Sequence, residues 1–547
     1  MSEETVNTAN TANTAGATGA AGTDAGVTGA HAGAAATAGA PGAGAAAGDT
    51  GAAAGDTGAG GTAAPARRRR RRDHPVARVI RTVVGIIALI LSALLMWLGL
   101  SPFIASFPYL GIGSLITPQN VGPLLIVGAV VLVVSVGLVV LGSRRLSLLA
   151  AAFSVIAVGA FGGILDQQLD SARKAGADVD TSAAFIPGGL KEGASPDETV
   201  QYASDDDGLL DMDIYRPSTG GGSAPVLMYV HGGGWDTMDR TSQARNLRWL
   251  ADQGFLVVSP DYTLATDDRA TWDTAGDQVA CAMAWVTANA RDRGGDPENF
   301  FTYGESAGGA LVMTASYDAA AGKLHPRCGG APAVPRAVYA DSPAVDPRVI
   351  AESNDPVTGD GARRTVEKYL GGSPDEHPDR ADAVTVANHV TDFSQPTYLS
   401  YGGDDRLVPT RSYDAYRRRM ELANRRVIEI VRPHADHASA LTYHGVWNQT
   451  LLQTMRTFFA GEGAFGFPGG RPPVGGSVPV PDPARDTRGP VGGVQPENPK
   501  TLPGPLGGTP PENPKTLPGP LGGTPPENPR TVPGPLGGNV PASTVTS

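Results

Sequence analysis

An α/β fold with a mostly parallel central sheet is predicted for residues 185–463, and three observations predict it. Short apolar runs alternate there with helical stretches, the order in which strands and crossover helices build a parallel sheet. Two of the runs end in glycine-containing motifs, at residues 231–235 and 304–309, where a strand would turn sharply. The composition of this stretch is that of an ordinary globular domain, whereas the segments on either side are biased. Strands are placed at residues 226–230, 255–259, 300–303, 337–340, 397–401 and 427–431, with helices at 271–290 and 307–320. Residues 209–217 alternate apolar and polar side chains and read as an earlier, antiparallel edge strand.

With 547 residues the chain has room for more than this domain. Residues 1–66 are dominated by Ala, Gly and Thr, and residues 464–547 by Pro and Gly. Neither segment can bury a core, so both are expected to be disordered tails. The second tail repeats a unit that begins at Pro496, Pro511 and Pro526. Its prolines remove amide donors and its glycine pairs add flexibility, which favours an extended, polyproline-like chain. A spacer or a ligand for a proline-binding module are the functional readings; a plain low-complexity tail is the simpler one. The net charge of −11 argues against nucleic-acid binding, which needs an excess of Lys and Arg on the domain concerned. Two cysteines, Cys281 and Cys328, are too few for a disulfide-built scaffold and are not clustered as zinc ligands would be.

Residues 67–81 form a basic segment that opens with six arginines, 67–72. Three uncharged apolar stretches follow within residues 82–165, at about 82–100, 121–142 and 146–165. Each is near the ~20 residues that span a bilayer. A signal peptide is the rival reading of the first, but an apolar signal core is ~7–15 residues long and is followed by a cleavage site. Arg78, Arg81, Arg144 and Arg145 flank the stretches, whereas residues 101–120 carry no charge. Because basic loops stay inside, the N-terminus and the second loop are expected in the cytoplasm, and the first loop and everything after residue 165, beginning with a linker at 166–184, outside it. The arginine run therefore reads as a topology anchor with affinity for anionic headgroups; nucleic-acid binding and nuclear import are its alternatives. Gly159 and Gly163 form a small-residue pair that could meet another helix.

The chemistry-bearing motifs lie in the α/β region. Gly304-Glu305-Ser306-Ala307-Gly308 follows a predicted strand and precedes a predicted helix, the setting of a nucleophile elbow that lifts a serine hydroxyl clear of the sheet. His231-Gly232-Gly233-Gly234-Trp235 ends another strand, where consecutive glycines let backbone amides approach an oxyanion. A serine nucleophile needs a base and a carboxylate that orients it. Two strands near the C-terminus end in suitable pairs, Asp404 with Asp405, and His434 with His437.

At these motifs the chain resembles the α/β-hydrolase superfamily, and within it the HGGG-type carboxylesterases related to hormone-sensitive lipase and the BD-FAE-like esterases. The resemblance covers about residues 200–460 and includes the strand signatures at 211–217 and 258–264. It implies an α/β-hydrolase fold with Ser306 as nucleophile, Asp405 in Asp-x-Leu-Val-Pro as the acid and His437 as the base, with Asp404 and His434 as the alternatives. It further implies oxyanion-hole amides from Gly233, Gly234 and Ala307, and a bracing role for His231. Thr263 departs from the family's usual Arg, which puts a local ion pair in doubt but not the triad. The remaining histidines, among them His31, His389 and His444, read as surface or packing residues.

The activity implied is serine carboxylester hydrolysis through an acyl-enzyme, with no metal or organic cofactor and with a small-molecule ester as substrate. His437 must be neutral to act, so activity is expected to rise with pH through about 6–7. The polar segment 343–391 has the position of a site-covering insertion, and its low apolar content favours small or short-acyl esters. Outside the cytoplasm Cys281 and Cys328 can form a disulfide; two separately buried thiols are the alternative. A peptidase or amidase on the same fold and a non-catalytic surface scaffold are the competing functions. The Ala/Gly/Arg-rich composition suggests a bacterial source.

Overall fold

The computed structural model describes residues 74–465 apart from 106, 108, 206–207 and 219–222. The Ala/Gly/Thr-rich segment, the arginine run and the proline repeats lie outside the described residues. Three helices come first: α1 (Pro75–Leu100), α2 (Val121–Val140) and α3 (Arg144–Lys174). All three are long and apolar enough to cross a membrane, by length and composition. Small residues spaced one turn apart line their contacts: Gly85, Ala88, Ser92 and Gly99 on α1, and Ser147, Ala150, Ser154 and Ala157 on α3. Such stripes let backbones approach closely. A Cβ added at Gly159 or Gly163 would meet nothing within 4 Å, so that pair is not a contact within this chain.

The expected linker is not a free one. Helix α3 continues past residue 165 to Lys174, where Arg173 and Lys174 occupy its last turn and complement the negative end of the helix dipole. Gln168 donates from its buried amide to the Pro118 carbonyl, 2.8 Å away. The following residues lie along the last helix, with the amides of Asp178 and Asp180 donating to Gln453 and Gln449 at 2.6 and 2.8 Å.

The rest is one eight-stranded sheet with helices on both faces. In chain order it comprises β1 (Glu198–Asp205), β2 (Gly208–Tyr215), β3 (Ala224–Val230), α4 (Ala244–Asp252), β4 (Leu256–Pro260), α5 (Ala275–Asn289), β5 (Gly295–Glu305) and α6 (Ser306–Ala320). Then follow β6 (Val338–Asp341), α7 (Pro347–Ala351), α8 (Gly359–Leu370), α9 (Pro378–Val384), β7 (Thr397–Gly402), α10 (Tyr413–Leu422), β8 (Val427–Arg432) and α11 (Val446–Gly461). The strand order is β1-β2-β4-β3-β5-β6-β7-β8. The pairs β1/β2 and β2/β4 are antiparallel and the others parallel. A mostly parallel sheet flanked by helices is the architecture that the alternating apolar and helical stretches predict.

One expectation is corrected. Residues 209–217 do not form the edge; β2 pairs on both sides, and the edge is β1. Only its Val200 and Tyr202 turn partly toward the core, so its polar alternation hides it in the sequence. Along β3 the strand period of two sorts side chains between two cores. Val226, Met228 and Val230 face α5, α6 and α10, and Leu227 and Tyr229 face α4 and α11. Between β6 and β8 a buried Arg432 pairs with Asp341 at 2.5 Å and also donates to Ser342 and Ser400. This ties together the ends of three strands that carry the site.

Cys281 on α5 and Cys328 beyond α6 are bonded, with Cα atoms 5.9 Å apart. A cross-link closing 47 residues restricts the unfolded chain and is worth about 2–4 kcal/mol. Denaturing the full chain without reductant should expose no free thiol, and reduction should lower its thermal midpoint in detergent; two titratable thiols in the unreduced protein would contradict the bond.

Candidate active site

The strand β5 ends at Glu305 and α6 starts at the next residue, Ser306, whose φ is +51°. A left-handed serine is uncommon and is held only where its surroundings over-determine it. Gly308 supplies that constraint. A Cβ there would lie 2.2 Å from the Val230 carbonyl, so only glycine lets the first turn of α6 press onto β3. The turn leaves the Ala307 amide at the open N-terminus of the helix, where amides lack intrahelical partners.

The loops after β7 and β8 meet this serine. His437 Nε2 lies 2.9 Å from Ser306 Oγ, and His437 Nδ1 lies 2.8 Å from Asp405 Oδ2. The second oxygen of Asp405 accepts from the amides of Leu407 and Val408 at 3.0 and 2.8 Å. Its side chain is wholly buried, at 0% exposure against 12% for His437, so the carboxylate is oriented without competition from water. Asp404 and His434 stand apart from this chain. They face one another at 3.8 Å, and His434 Nδ1 is directed at the Pro102 carbonyl, 3.2 Å away.

Two further acids surround the imidazole. Glu305 is buried beside Gln243 and Tyr229, and burial together with nearby Asp341 pushes its carboxyl up to about 7. Asp436 accepts from the amides of His437 and Arg406, and burial beside Asp405 pushes it up to about 6. Burial alone would lower the His437 pKa. Asp405, its hydrogen bond, Glu305 and Asp436 outweigh that effect and raise it to about 9. These surroundings favour the protonated imidazole more than the sequence suggests, because the sequence shows neither that these acids converge nor that water is excluded from them.

The glycine loop faces the serine from β3. A Cβ on Gly232 would lie 3.2 Å from the Ser306 Cβ. Gly233 has φ +92°, and its carbonyl receives the amides of Asp236 and Thr237. His231 is buried, stacks on Tyr262 with ring centroids 4.3 Å apart and directs Nδ1 at the Gly232 carbonyl. Burial lowers its pKa, consistent with a neutral brace. Behind the loop Arg240 holds Asp213 and Asp261, while Thr263 hydrogen-bonds Gln278.

Residues 343–391 fold as α7 to α9 over the same edge. Tyr369 stacks on Trp235 at 4.2 Å, Lys368 pairs with Asp236 at 2.9 Å, and Arg406 pairs with Asp355 at 2.8 Å. Leu311, Trp272 and His389 join Trp235 and Tyr369 around a cavity of ≈160 Å³. His389 is paired with Asp318 at 2.8 Å, and His444 packs on Tyr443; His31 lies outside the described residues. Sequence reading missed Glu305 and Asp436 as electrostatic partners, although both adjoin residues that it singled out. It also missed residues 101–120, which reach this edge of the sheet.

Residues 212–419 match the BD-FAE family model. Esterase LipQ of Mycobacterium tuberculosis is 27% identical over 279 residues, covering 50% of this chain and 63% of that protein. Carboxylesterase NlhH of the same species is 36% identical over 122 residues, 21% of this chain and 35% of its own length. The chain thus spans less than two thirds of these curated relatives. Among solved structures, esterase LipW from Mycobacterium marinum aligns with a TM-score of 0.40 and 20% identity, over 55% of this chain and 87% of that one.

With His437 as the base of an esterase, kcat/KM on a soluble ester should rise with pH through a value above the ~6.5 of a free histidine, toward about 9. Glu305→Gln and Asp436→Asn each remove negative charge that favours the imidazolium, so each should move the rise to lower pH by up to about one unit. A wild-type rise at or below the free-histidine value would refute this electrostatic picture.

Proposed function

We propose that this protein is a membrane-anchored serine carboxylesterase whose active site lies outside the cytoplasm. The reading is carried by the hydrogen-bonded chain Ser306–His437–Asp405, at 2.9 and 2.8 Å, opposite the glycine loop. Similarity to esterases and to the BD-FAE family supports the ester as the reacting bond. Ser306 Oγ attacks the ester carbonyl as its proton passes to His437 Nε2. Asp405 stabilises the resulting imidazolium, and the amides of Gly233, Gly234 and Ala307 receive the oxyanion. His437 then gives the proton to the departing alcohol, and water activated by the same imidazole releases the acid. No metal or organic cofactor takes part.

The membrane assignment is supported by the length and apolar character of α1, α2 and α3. The arginines before α1 and at the start of α3 support an orientation with the N-terminus inside. Preference for small acyl groups is supported by the insertion, which exposes no large hydrophobic side chain among its described residues.

The test is hydrolysis of a chain-length series of p-nitrophenyl esters by the full chain in nanodiscs. Ser306→Ala should lose about ten-thousandfold or more in kcat, and a fluorophosphonate should label the wild type but not the variant. Hydrolysis that survives Ser306→Ala would reject the reading.

A further inference from the structure

The loop joining α1 to α2 folds against the catalytic edge of the sheet. Pro102 presents its carbonyl to His434 at 3.2 Å, and the Phe103 ring lies 4.7 Å from the His434 ring. Ser114 Oγ reaches Asp436 at 3.5 Å, the residue before His437. The loop is ordered on its own helix, since Trp97 and Ser101 both donate to the Leu110 carbonyl and Thr117 donates to Leu98. Two rims are thereby brought together. The loop exposes Phe107, Tyr109, Leu110 and Ile116, and the last turns of α1 expose Leu94 and Leu100. Toward the sheet a cleft of ≈340 Å³ opens between Ala105 and the polar Asp404, Arg406 and Arg411.

We infer that this loop is the bilayer-facing wall of the active-site mouth, and that the ester substrate is an amphiphile of the outer leaflet that reaches Ser306 across it. The inference rests on the esterase reading above and adds where the substrate comes from. Both ends of the loop continue into helices that cross the bilayer, and residues 101–120 carry no charge. Its exposed aromatic and aliphatic side chains therefore sit at the headgroup boundary, where such residues are favoured. The catalytic edge is held within contact of that boundary by His434 and Asp436. An ester with an apolar body and a polar reacting end matches the two rims, with its body among the loop side chains and its polar end at the cleft. The insertion bears no apolar docking surface of its own because the anchor supplies it.

The test uses the full chain in phosphatidylcholine nanodiscs and two butyrate esters that share the acyl group and the phenolic ring of the leaving group and differ in its alkyl substituent, those of methyl- and of heptadecyl-substituted umbelliferone. The first is water-soluble and the second resides in the bilayer. The wild type should favour the bilayer-resident ester. The triple variant Phe107→Asp, Tyr109→Asp, Ile116→Asp should lower the ratio of bilayer-resident to soluble activity about tenfold, and Phe107→Trp, Tyr109→Trp, Ile116→Leu should retain it. A ratio unchanged by the aspartates, or a wild type that hydrolyses only the soluble ester, overturns this inference while leaving the esterase reading intact. Absence of Ser306-dependent hydrolysis of either ester overturns both.

Discussion

The left-handed backbone of Ser306 is held by contact rather than by preference. Gly308 brings α6 onto the carbonyl-bearing end of β3, and the amide of Ala344, at the start of the insertion, donates to the Ser306 carbonyl at 3.0 Å. The hydroxyl is thereby aimed across the sheet edge at the imidazole, and the first helical amide is left open beside it. Larger side chains at Gly232 or Gly308 would push the glycine loop or the helix away. The serine, the oxyanion amides and the insertion therefore depend on one close approach of backbones, which tolerates no Cβ at its centre.

Around that serine the chain gathers carboxylates at a cost in desolvation. Each is satisfied from within: Asp405 by two amides, Glu305 by Gln243 and Tyr229, and Asp436 by the amides of His437 and Arg406. Their summed charge makes His437 a stronger base and favours its imidazolium form. The opposing consequence is that less of the imidazole is neutral near pH 7. Basicity and availability pull in opposite directions, and the buried acids set the balance.

Two appendages bracket the site. The insertion grips the glycine loop and the residue after it through Trp235 and Asp236, and the loop after β7 through Arg406, while the loop between α1 and α2 supports the histidine turn through Pro102, Phe103 and Ser114. The helical anchor continues into the domain through Gln168 and the strip lying on α11. A fragment beginning after α3 would therefore lack the contacts that Pro102, Phe103 and Ser114 make with His434 and Asp436.

Much of the fold was legible because its signals are local. Apolar runs named six strands, glycines at strand ends marked the elbow and the glycine loop, and the uncharged stretches marked three long helices, since each depends on residues close in sequence. β1 escaped notice because an exposed edge strand buries too little to leave an apolar run. The choice of Asp405 over Asp404, and of His437 over His434, came from family habit, since adjacent or near-adjacent residues carry equal chemistry. The tertiary structure separates them by which side chain a turn aims inward. Only the fold could bring Glu305 and Asp436 to the imidazole, or Ser114 to Asp436 across 322 positions. The sequence by itself determined the classes of element and the kinds of reactive group. Their pairing, the basicity of His437 and the direction in which the site opens were decided by long-range packing, because distance and exclusion of water are properties of the folded chain.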